Sequence, residues 1–273
     1  MVETASGPKV TVCMANYNGA AFIGEALASA LEQTLANIEV IVVDDASTDD
    51  SVALAQAVAA RDGRVRVERL ARNGGPSAAR NRVLELARGE WIAVLDSDDL
   101  MNPLRLQQLV DQAEATSADI IADDLLVFQQ DGSSPPRTLL GGWTGDAGGW
   151  VSAADYIRSN GPYGHKPNLG FLKPLFRRSF LVAKALTYDI SVRIGEDFDI
   201  VCRALLDGAR MRILPRPYYL YRKHGASISQ VMKVSHIQDM LSICDARRSL
   251  AQAAPRRRRR RSAAPSPTIA CPC

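Results

Sequence analysis

The chain has 273 residues, of which 47% are hydrophobic and 23% are charged, as is typical of a globular protein with a buried core. Its formal net charge is +3, but residues 256–261 are six consecutive arginines, and the rest of the chain is mildly acidic. This charge excludes a nucleic-acid-binding surface on the folded part. No stretch reaches the ~18 apolar residues of a membrane span, and the polar N-terminus has no signal-peptide pattern. We therefore expect a cytoplasmic protein, with attachment to the inner face of the cell membrane as an alternative.

The five cysteines do not form a recognisable metal or redox motif. Cys13, Cys202 and Cys244 lie in apolar segments, which predicts buried thiols in a reducing compartment. The spacing of Cys271 and Cys273 matches neither a zinc knuckle nor a Cys-x-x-Cys redox pair.

The first 130 residues alternate between strand and helix patterns. Strands are predicted at residues 9–14, 39–44, 65–70, 91–96 and 119–128, and helices at residues 22–35, 51–61, 75–87 and 102–115. Asp49 or Asp50 is placed to cap the second helix. Strands that are separated by helices of this length predict an α/β fold, with a mostly parallel, Rossmann-like sheet between two layers of helices.

The second half of the chain is less regular. Residues 131–149 are rich in glycine, serine and proline, which predicts a long surface loop. The spacing of Ser152 and Asp155 indicates a capped helix. Further elements are predicted as a helix at 196–207 that Gly208 ends, two short strands at 211–214 and 218–222, and an amphipathic helix at 234–251.

Residues 253–273 are rich in arginine, proline, serine and alanine and have no periodicity, which predicts disorder. One interpretation is a basic tail that is attracted to anionic lipid. The other, which we favour, is a terminus that is not native and replaces a longer helical tail.

Three carboxylates, Asp96, Asp98 and Asp99, follow the fourth predicted strand. Ligands bind at the carboxyl ends of the strands in open α/β sheets. Carboxylates that are clustered there repel one another unless they share a cation, and their oxygens suit Mg²⁺ or Mn²⁺. The alternative is a solvated acidic loop that caps the next helix.

Two other turns are predicted at the same edge of the sheet. Asp45 follows the second strand, where its carboxylate can accept a hydrogen bond from a base imide or a ribose hydroxyl, or can belong to a turn and helix cap with Ser47 and Asp49. Residues 15–19 (ANYNG) follow the first strand and could place Tyr17 against a base. The chain has neither G-x-G-x-x-G nor a P-loop motif, which argues against dinucleotide-binding and P-loop folds.

These turns, together with residues 74–81 (GGPSAARN), resemble the nucleotide-binding half of the inverting glycosyltransferases of family two, which have the GT-A fold. The resemblance extends over roughly residues 9–229, and the order and spacing of several motifs make it specific. It implies a donor-binding half at residues 1–130 and an acceptor-binding, catalytic half of the same GT-A domain at residues 131–252, followed by the tail at 253–273.

The resemblance also implies roles for residues on the donor side. Tyr17 would stack on uracil, Asp45 would bind its imide, and Arg80 would contact the nucleotide. Asp96 and Asp98 would form the D-x-D motif, in which Asp98 binds Mn²⁺ or Mg²⁺ and Asp96 lies near the ribose; Asp99 matches a position that is less regularly a ligand. The expected nucleotide-binding residues are Ala15, Tyr17, Asn18, Asp45, Arg80, Asp96 and Ser97.

The later motifs fit the same family. Residues 195–199 (GEDFD) resemble its E-D motif, in which Asp197 would be the general base and Glu196 would orient it or contact the acceptor. Alternatively, these acids only stabilise a helix N-terminus. Residues 221–229 resemble the segment that closes over the donor diphosphate, where His224 would be a metal ligand or phosphate contact; a lone histidine is more often structural.

Lys173 and Arg177 lie in a segment (KPLFRR) that matches a region lining the acceptor side of the family's site. Asp123 and Asp124 lie in the middle of a predicted strand, and one of them is expected to face the site.

The resemblance implies a metal-assisted, inverting transfer of a hexose from a UDP-sugar to a hydroxyl group. The acceptor would be a saccharide or lipid-linked oligosaccharide in cell-surface polysaccharide synthesis. The Q-x-x-R-W motif and membrane helices of the processive synthases are missing, which favours the addition of a single residue. The alternatives are a sugar nucleotidyltransferase and a truncated, non-catalytic relative that binds nucleotide sugars. The sugar, the linkage and the oligomeric state stay open.

Overall fold

The structure is a computed structural model that describes residues 7–142, 149–159, 168–192 and 194–225. In these ranges the strands are β1 (Val10–Asn16), β2 (Ile38–Asp44), β3 (Val65–Arg69), β4 (Trp91–Val94), β5 (Leu100–Met101), β6 (Ile120–Gln129), β7 (Arg137–Thr138), β8 (Trp150–Val151), β9 (Leu175–Arg177) and β10 (Met211–Lys223). The helices are α1 (Ile23–Leu31), α2 (Ser51–Ala59), α3 (Pro76–Leu86), α4 (Arg105–Thr116), α5 (Ala153–Ser159), α6 (Arg178–Ala183) and α7 (Glu196–Leu206).

All ten strands form one sheet, and the predicted α/β fold with a central sheet flanked by helices is confirmed. The strand order is β3-β2-β1-β4-β9-β6-β10-β5, with β7 beside β6 and β8 beside β10. β1 to β4 are parallel, and so are β6 and β10. The sheet is nevertheless mixed, because β9 is inserted antiparallel between β4 and β6 and the short strands β5, β7 and β8 also pair antiparallel.

The core lies around the parallel part of the sheet. Every residue of β2 and β4 is buried, as expected where helices cover both faces. α3 packs against β1 and β2, whereas α4 packs against β6 and β10. Cys13 and Cys202 are buried as predicted; Cys244 lies outside the described residues.

At three helices, the structure has residues that the sequence predicted to cap or end the helix. Asp50 is the N-cap residue of α2 but its side chain makes no capping bond; instead the Ser51 N–H donates to the carboxylate of the preceding residue, Asp49, at 3.0 Å. At α5, the Asp155 N–H donates to the hydroxyl oxygen of Ser152 at 3.1 Å. α7 is followed by Gly208 at φ 95°, a left-handed conformation that favours glycine.

The two short strands predicted at 211–214 and 218–222 are in fact one strand, β10. Its pairing with β6 shifts register between Leu214 and Pro217 and again between Pro217 and Tyr219. Pro215 and Pro217 have no N–H to donate to the neighbouring strand, so the ladder is interrupted there without ending. The sequence pattern shows this interruption as a gap between two strands.

Some predicted elements lie outside the described residues. They are part of the 131–149 loop, the helix at 234–251 and the tail at 253–273. Among the residues that the structure describes, no helix is both long and apolar enough to cross a membrane.

Candidate active site

The turns after β1 and β2 lie side by side at the carboxyl edge of the sheet. The Asn16 side chain donates to the Asp44 carboxylate at 2.9 Å. The Asn18 backbone N–H donates to the Ser47 hydroxyl oxygen, and the Thr48 N–H donates to the Asn18 side-chain oxygen, each at 2.8 Å. Asn18 has φ 51°, a left-handed conformation that asparagine tolerates better than most residues. These bonds hold the two turns together as one surface.

Tyr17 and Asp45 occupy this surface in different ways. Tyr17 is 52% exposed, so its ring is open to a planar ligand, and Ala15 lies two residues before it in β1. Asp45 is buried, and its carboxylate accepts hydrogen bonds from the backbone N–H groups of Gly74 at 2.7 Å and Gly75 at 2.8 Å. A carboxylate has about four lone-pair sites, so these bonds leave room for a base imide. Both expected base contacts stay predictions.

Asp96, Asp98 and Asp99 come together after β4, with one carboxylate oxygen of each within 4.8 Å of the others. Asp99 is buried and accepts hydrogen bonds from the Tyr219 hydroxyl and the Arg222 N–H, both at 2.7 Å. Burial raises the pKa of Asp99 well above its usual value, and the charges of Asp96 and Asp98 raise it further. Because both of its oxygens already accept hydrogen bonds, Asp99 is a poorer candidate for a direct metal ligand than Asp98.

Asp98 is the member of this cluster that best suits a metal ion. Its side chain is 35% exposed, and its Oδ2 lies 3.0 Å from Nε2 of His224. The carboxylate is a ligand that suits Mn²⁺ or Mg²⁺, and the imidazole nitrogen beside it is a second side-chain group that can bind a divalent metal. Ser97 lies beside Gly19, where a Cβ on the glycine would meet the serine Oγ at 3.1 Å. The D-x-D segment therefore contacts the turn after β1.

Arg80 and Lys173 are buried cations that join the D-x-D segment to the start of α7. Nη2 of Arg80 is 2.7 Å from Asp96, and its Nη1 donates to Glu196 and lies 3.4 Å from Oδ1 of Asp197. Nζ of Lys173 is 2.7 Å from both Asp96 Oδ2 and Asp197 Oδ2. Three carboxylates thus share two cations in a site that is largely closed to water.

These contacts lower the pKa of one carboxylate in the cluster and leave that of another raised. Burial raises the pKa of Asp96, but the charges of Lys173 and Arg80 outweigh burial and hold that pKa far below its usual value. Burial also raises the pKa of Glu196, and here the Arg80 charge offsets only part of the effect. Burial lowers the pKa of Lys173, but Asp197 and Asp96 raise it well above its usual value. Lys173 therefore remains an ammonium ion at neutral pH.

The structure does not place Arg177 with the acceptor-side residues, which corrects the expectation from sequence. Its guanidinium lies over the Trp91 ring at 4.3 Å and donates to the Ala118 carbonyl at 3.0 Å. β9 is antiparallel to β4 and pairs Arg177 with Trp91, the first residue of β4. Lys173 therefore lies near the carboxyl end of β4, whereas Arg177 lies at its amino end, on the opposite edge of the sheet.

Asp123 and Asp124 make structural contacts instead of facing the candidate site. Asp123 forms a fully buried ion pair with Arg105 at 2.9 Å. The Asp124 carboxylate accepts a hydrogen bond from the Leu140 N–H at 2.9 Å. The sequence signal for Arg105 is an arginine on the otherwise apolar face of a predicted helix, a position that we did not single out.

Arg222 is a second residue that the sequence analysis did not assign. It is buried between the rings of Phe22 and Phe128, at 5.0 and 5.5 Å from their centroids. Its Nε donates to the Asp98 carbonyl at 2.8 Å. Arg222 therefore fixes the backbone of the D-x-D segment, although no local sequence pattern marks it for this role.

Several known proteins are similar to this chain in sequence. Residues 11–180 match the family described as "Glycosyl transferase family 2". Succinoglycan biosynthesis protein ExoO of Rhizobium meliloti (strain 1021) is 39% identical over 251 residues, which cover 88% of this chain and 68% of the relative. Succinoglycan biosynthesis protein ExoU of the same organism is 37% identical over 83% of this chain and 66% of the relative. The chain thus spans about two thirds of the length of these relatives.

Solved structures share the fold. The S. aureus TarS fragment 1-349 in complex with UDP-GlcNAc has a TM-score of 0.68 and 23% identity, over 86% of this chain and 65% of that one. Mannosyltransferase PcManGT from Pyrobaculum calidifontis, in complex with GDP-Man and Mn²⁺, has a TM-score of 0.61 and 18% identity, over 92% and 76%. The shared architecture is the GT-A fold. Because the family match covers more than half of the chain and a relative with 39% identity is covered over two thirds of its length, the chain belongs to glycosyl transferase family 2 and is a glycosyltransferase.

Proposed function

We propose that the protein transfers a hexose from a UDP-sugar to a hydroxyl group of a saccharide or lipid-linked acceptor, with inversion at the anomeric carbon. The names of the two R. meliloti relatives support a role in polysaccharide biosynthesis. The UDP-GlcNAc complex of TarS supports a UDP-sugar as the donor. A lipid-linked acceptor would bring the reaction to the inner face of the cell membrane.

On the donor side, the turns after β1, β2 and β4 would bind the nucleotide. The exposed Tyr17 ring suits stacking on uracil, since aromatic faces pack well on planar ligands. Ala15 lies two residues before Tyr17 and Asn18 directly after it, Asp45 lies at the neighbouring turn, and Ser97 lies beside Gly19. Arg80 already binds three carboxylates, so we assign it to holding Asp96 beside the ribose rather than to a strong nucleotide contact of its own.

Asp98 and His224 would hold Mn²⁺ or Mg²⁺. When bound there, the ion would supply positive charge to the leaving diphosphate. The same two side chains would then place the diphosphate at the end of β4.

On the acceptor side, Asp197 would act as the general base. The observation that carries this proposal is the bridge by Lys173, whose Nζ is 2.7 Å from Asp96 and from Asp197. Oδ2 of Asp96, the proposed ribose contact, and Oδ2 of Asp197, the proposed base, are therefore at most twice that distance apart. Asp197 Oδ1 accepts no hydrogen bond in the described part of the chain, and the guanidinium of Arg80 lies 3.4 Å away, so this oxygen keeps a lone pair for a proton.

The chemistry follows from this arrangement. Asp197 removes the proton of the acceptor hydroxyl while that oxygen attacks the anomeric carbon on the face opposite to the diphosphate. A single displacement inverts the anomeric configuration. Glu196, which is bound to Arg80, keeps the first turn of α7 in place beside the acceptor.

Calorimetric titration of UDP, with and without Mn²⁺, tests the donor site. We expect Mn²⁺-dependent binding that Asp98→Asn weakens by about tenfold or more, because a metal-binding carboxylate is lost. Asp111→Asn is the matched control, since Asp111 is exposed on α4 and, among the described residues, bonds only to Gln107. UDP binding that neither Mn²⁺ nor Asp98→Asn alters would contradict the assignment of Asp98.

A panel of UDP-sugars, incubated with undecaprenyl-diphosphate-linked sugars or free oligosaccharides, tests the transfer itself. We expect UDP release to depend on the acceptor, and the product to have the β configuration by NMR. UDP binding without turnover on any acceptor would support a non-catalytic relative instead. Pyrophosphate release from UTP and a sugar 1-phosphate would support a nucleotidyltransferase.

A further inference from the structure

Lys173 lies at the centre of the candidate active site and is buried, with 7% of its surface exposed. Its ammonium group contacts the proposed base on one side and the D-x-D segment on the other. A lysine that is merely one wall of an acceptor groove would keep its charge in water, since burying an ammonium ion costs several kcal/mol unless it is paired. The position of Lys173 therefore calls for a more specific role than the one that sequence suggested.

The backbone around Lys173 is held firmly. Its carbonyl oxygen accepts a hydrogen bond from the guanidinium of Arg105, which is itself fully buried in an ion pair with Asp123. The carbonyl of the next residue, Pro174, accepts from the Val94 N–H at 3.3 Å. Lys173 is thus anchored to α4 and to β4, and its side chain starts from a fixed point.

Asp197 depends on this lysine. In the described part of the chain, Lys173 is the one cation that forms a hydrogen bond with the Asp197 carboxylate, because Arg80 is 3.4 Å away and makes none. Asp197 is 7% exposed, and with Lys173 removed its carboxylate would keep only the 3.4 Å ion pair with Arg80, which makes no hydrogen bond to hold its orientation. A displaced Asp197 could not remove a proton from an acceptor.

We propose that Lys173 is a positioning residue for Asp197. Its ammonium binds Oδ2 of Asp197, which fixes the orientation of the carboxylate, and its second bond to Asp96 ties the base to the donor side of the site. The base is then in place relative to the donor before the acceptor arrives. This inference rests on the proposed role of Asp197 as the base.

Steady-state kinetics of Lys173→Met separate this role from donor binding. We expect kcat to fall by about 10²-fold, the loss typical of a catalytic group that is out of place. The donor KM and the Mn²⁺-dependent UDP affinity should change by less than about threefold, because Asp98 and Tyr17 are untouched and Arg80 still holds Asp96 at 2.7 Å. Lys173→Gln, which keeps a hydrogen-bond donor, is a second variant in case the methionine does not fold.

The decisive measurement is a double-mutant cycle with Asp197→Asn. If Lys173 acts through Asp197, adding Lys173→Met to Asp197→Asn should lower kcat by less than about threefold further, because the group that it positions is already gone. Lys9→Met is the matched control: Lys9 also bridges two carboxylates, Glu90 and Glu114, but at the opposite edge of the sheet. It should leave kcat unchanged. Urea unfolding of each variant checks that it is folded.

The possible outcomes separate failure of the positioning role from failure of the proposed function. Wild-type kcat in both Lys173 variants, or losses that multiply in the double variant, would overturn the positioning role and leave the proposed transferase intact. A fall in UDP affinity as large as the fall in kcat would overturn it as well, by assigning Lys173 to the donor. A wild-type protein that binds UDP but turns over no UDP-sugar would overturn the proposed function, and this inference with it.

Discussion

At the scale of single residues, two adjacent carboxylates at the start of α7 have different surroundings. Glu196 bonds to the guanidinium of Arg80, and burial raises its pKa above the usual value. Asp197 bonds through one oxygen to Lys173, and its other oxygen is left without a hydrogen-bond partner among the residues that the structure describes. This difference is why we propose proton removal for Asp197 and a supporting role for Glu196.

Asp197→Asn tests that assignment directly. The amide is nearly isosteric but cannot take a proton, so turnover should fall by about 10²-fold or more. UDP affinity should stay within about threefold of wild type, because the donor contacts are on other elements. Turnover with a UDP-sugar and calorimetry with UDP measure the two effects. Turnover at the wild-type rate would show that another group is the base.

At the scale of secondary-structure elements, the site depends on how closely β4 approaches β1. Gly89 precedes β4, and its N–H donates to the Thr11 hydroxyl oxygen at 2.9 Å. A Cβ at Gly89 would lie 2.4 Å from the Thr11 backbone nitrogen, which is backbone and has little freedom to move. The absence of a side chain at Gly89 therefore lets the two strands pair with Thr11 opposite Ile92.

Gly89→Ala should accordingly lower the free energy of unfolding by about 1–3 kcal/mol, the range for overpacking a buried position. Gly24→Ala is the same chemical change in α1 at an exposed position with no atom within 4 Å of the new Cβ. It should raise the free energy of unfolding by up to about 1 kcal/mol, since alanine favours helix. Urea unfolding measures both, and equal effects of the two changes would contradict the close approach.

At the scale of the whole molecule, β1 lies between β2 and β4 in the sheet, and the thiol of its Cys13 is buried in the core. Cys13 is 1% exposed in the middle of β1. Burial raises the pKa of the Cys13 thiol to about 12, with a smaller opposing effect from Arg80. Because the thiolate is the reactive form, the folded protein should keep Cys13 protonated and unreactive up to strongly alkaline pH.

Alkylation by iodoacetamide at pH 8 tests this burial. Cys13 should be labelled only as fast as the protein unfolds, and rapidly once urea is present, because the core strand must open first. Mass spectrometry of the peptide that contains Cys13 distinguishes it from the other cysteines. Labelling of native Cys13 at the rate of the unfolded chain would mean that β1 is not in the core.

Much of the fold and the motifs of the site follow from local sequence. The alternation of apolar runs and helical periodicity predicts β1 to β4, β6 and the helices among them, because these patterns are set by residues a few positions apart. Asp96 and Asp98 could be picked out because they follow such an element, and Asp197 because residues 195–199 resemble the E-D motif of the family. The sequence by itself therefore determined the α/β class, the edge of the sheet that carries the site and the family.

The pairings inside the site were decided by the tertiary structure. β9 is three residues long and has no periodicity, so its antiparallel insertion, which brings Lys173 to the site and carries Arg177 to the far edge, leaves no local signal. Lys173 and Asp197 are 24 positions apart, and Arg80 and Glu196 are 116 apart. Buried ion pairs depend on distance through space and on the exclusion of water, and both are known only once the chain has folded.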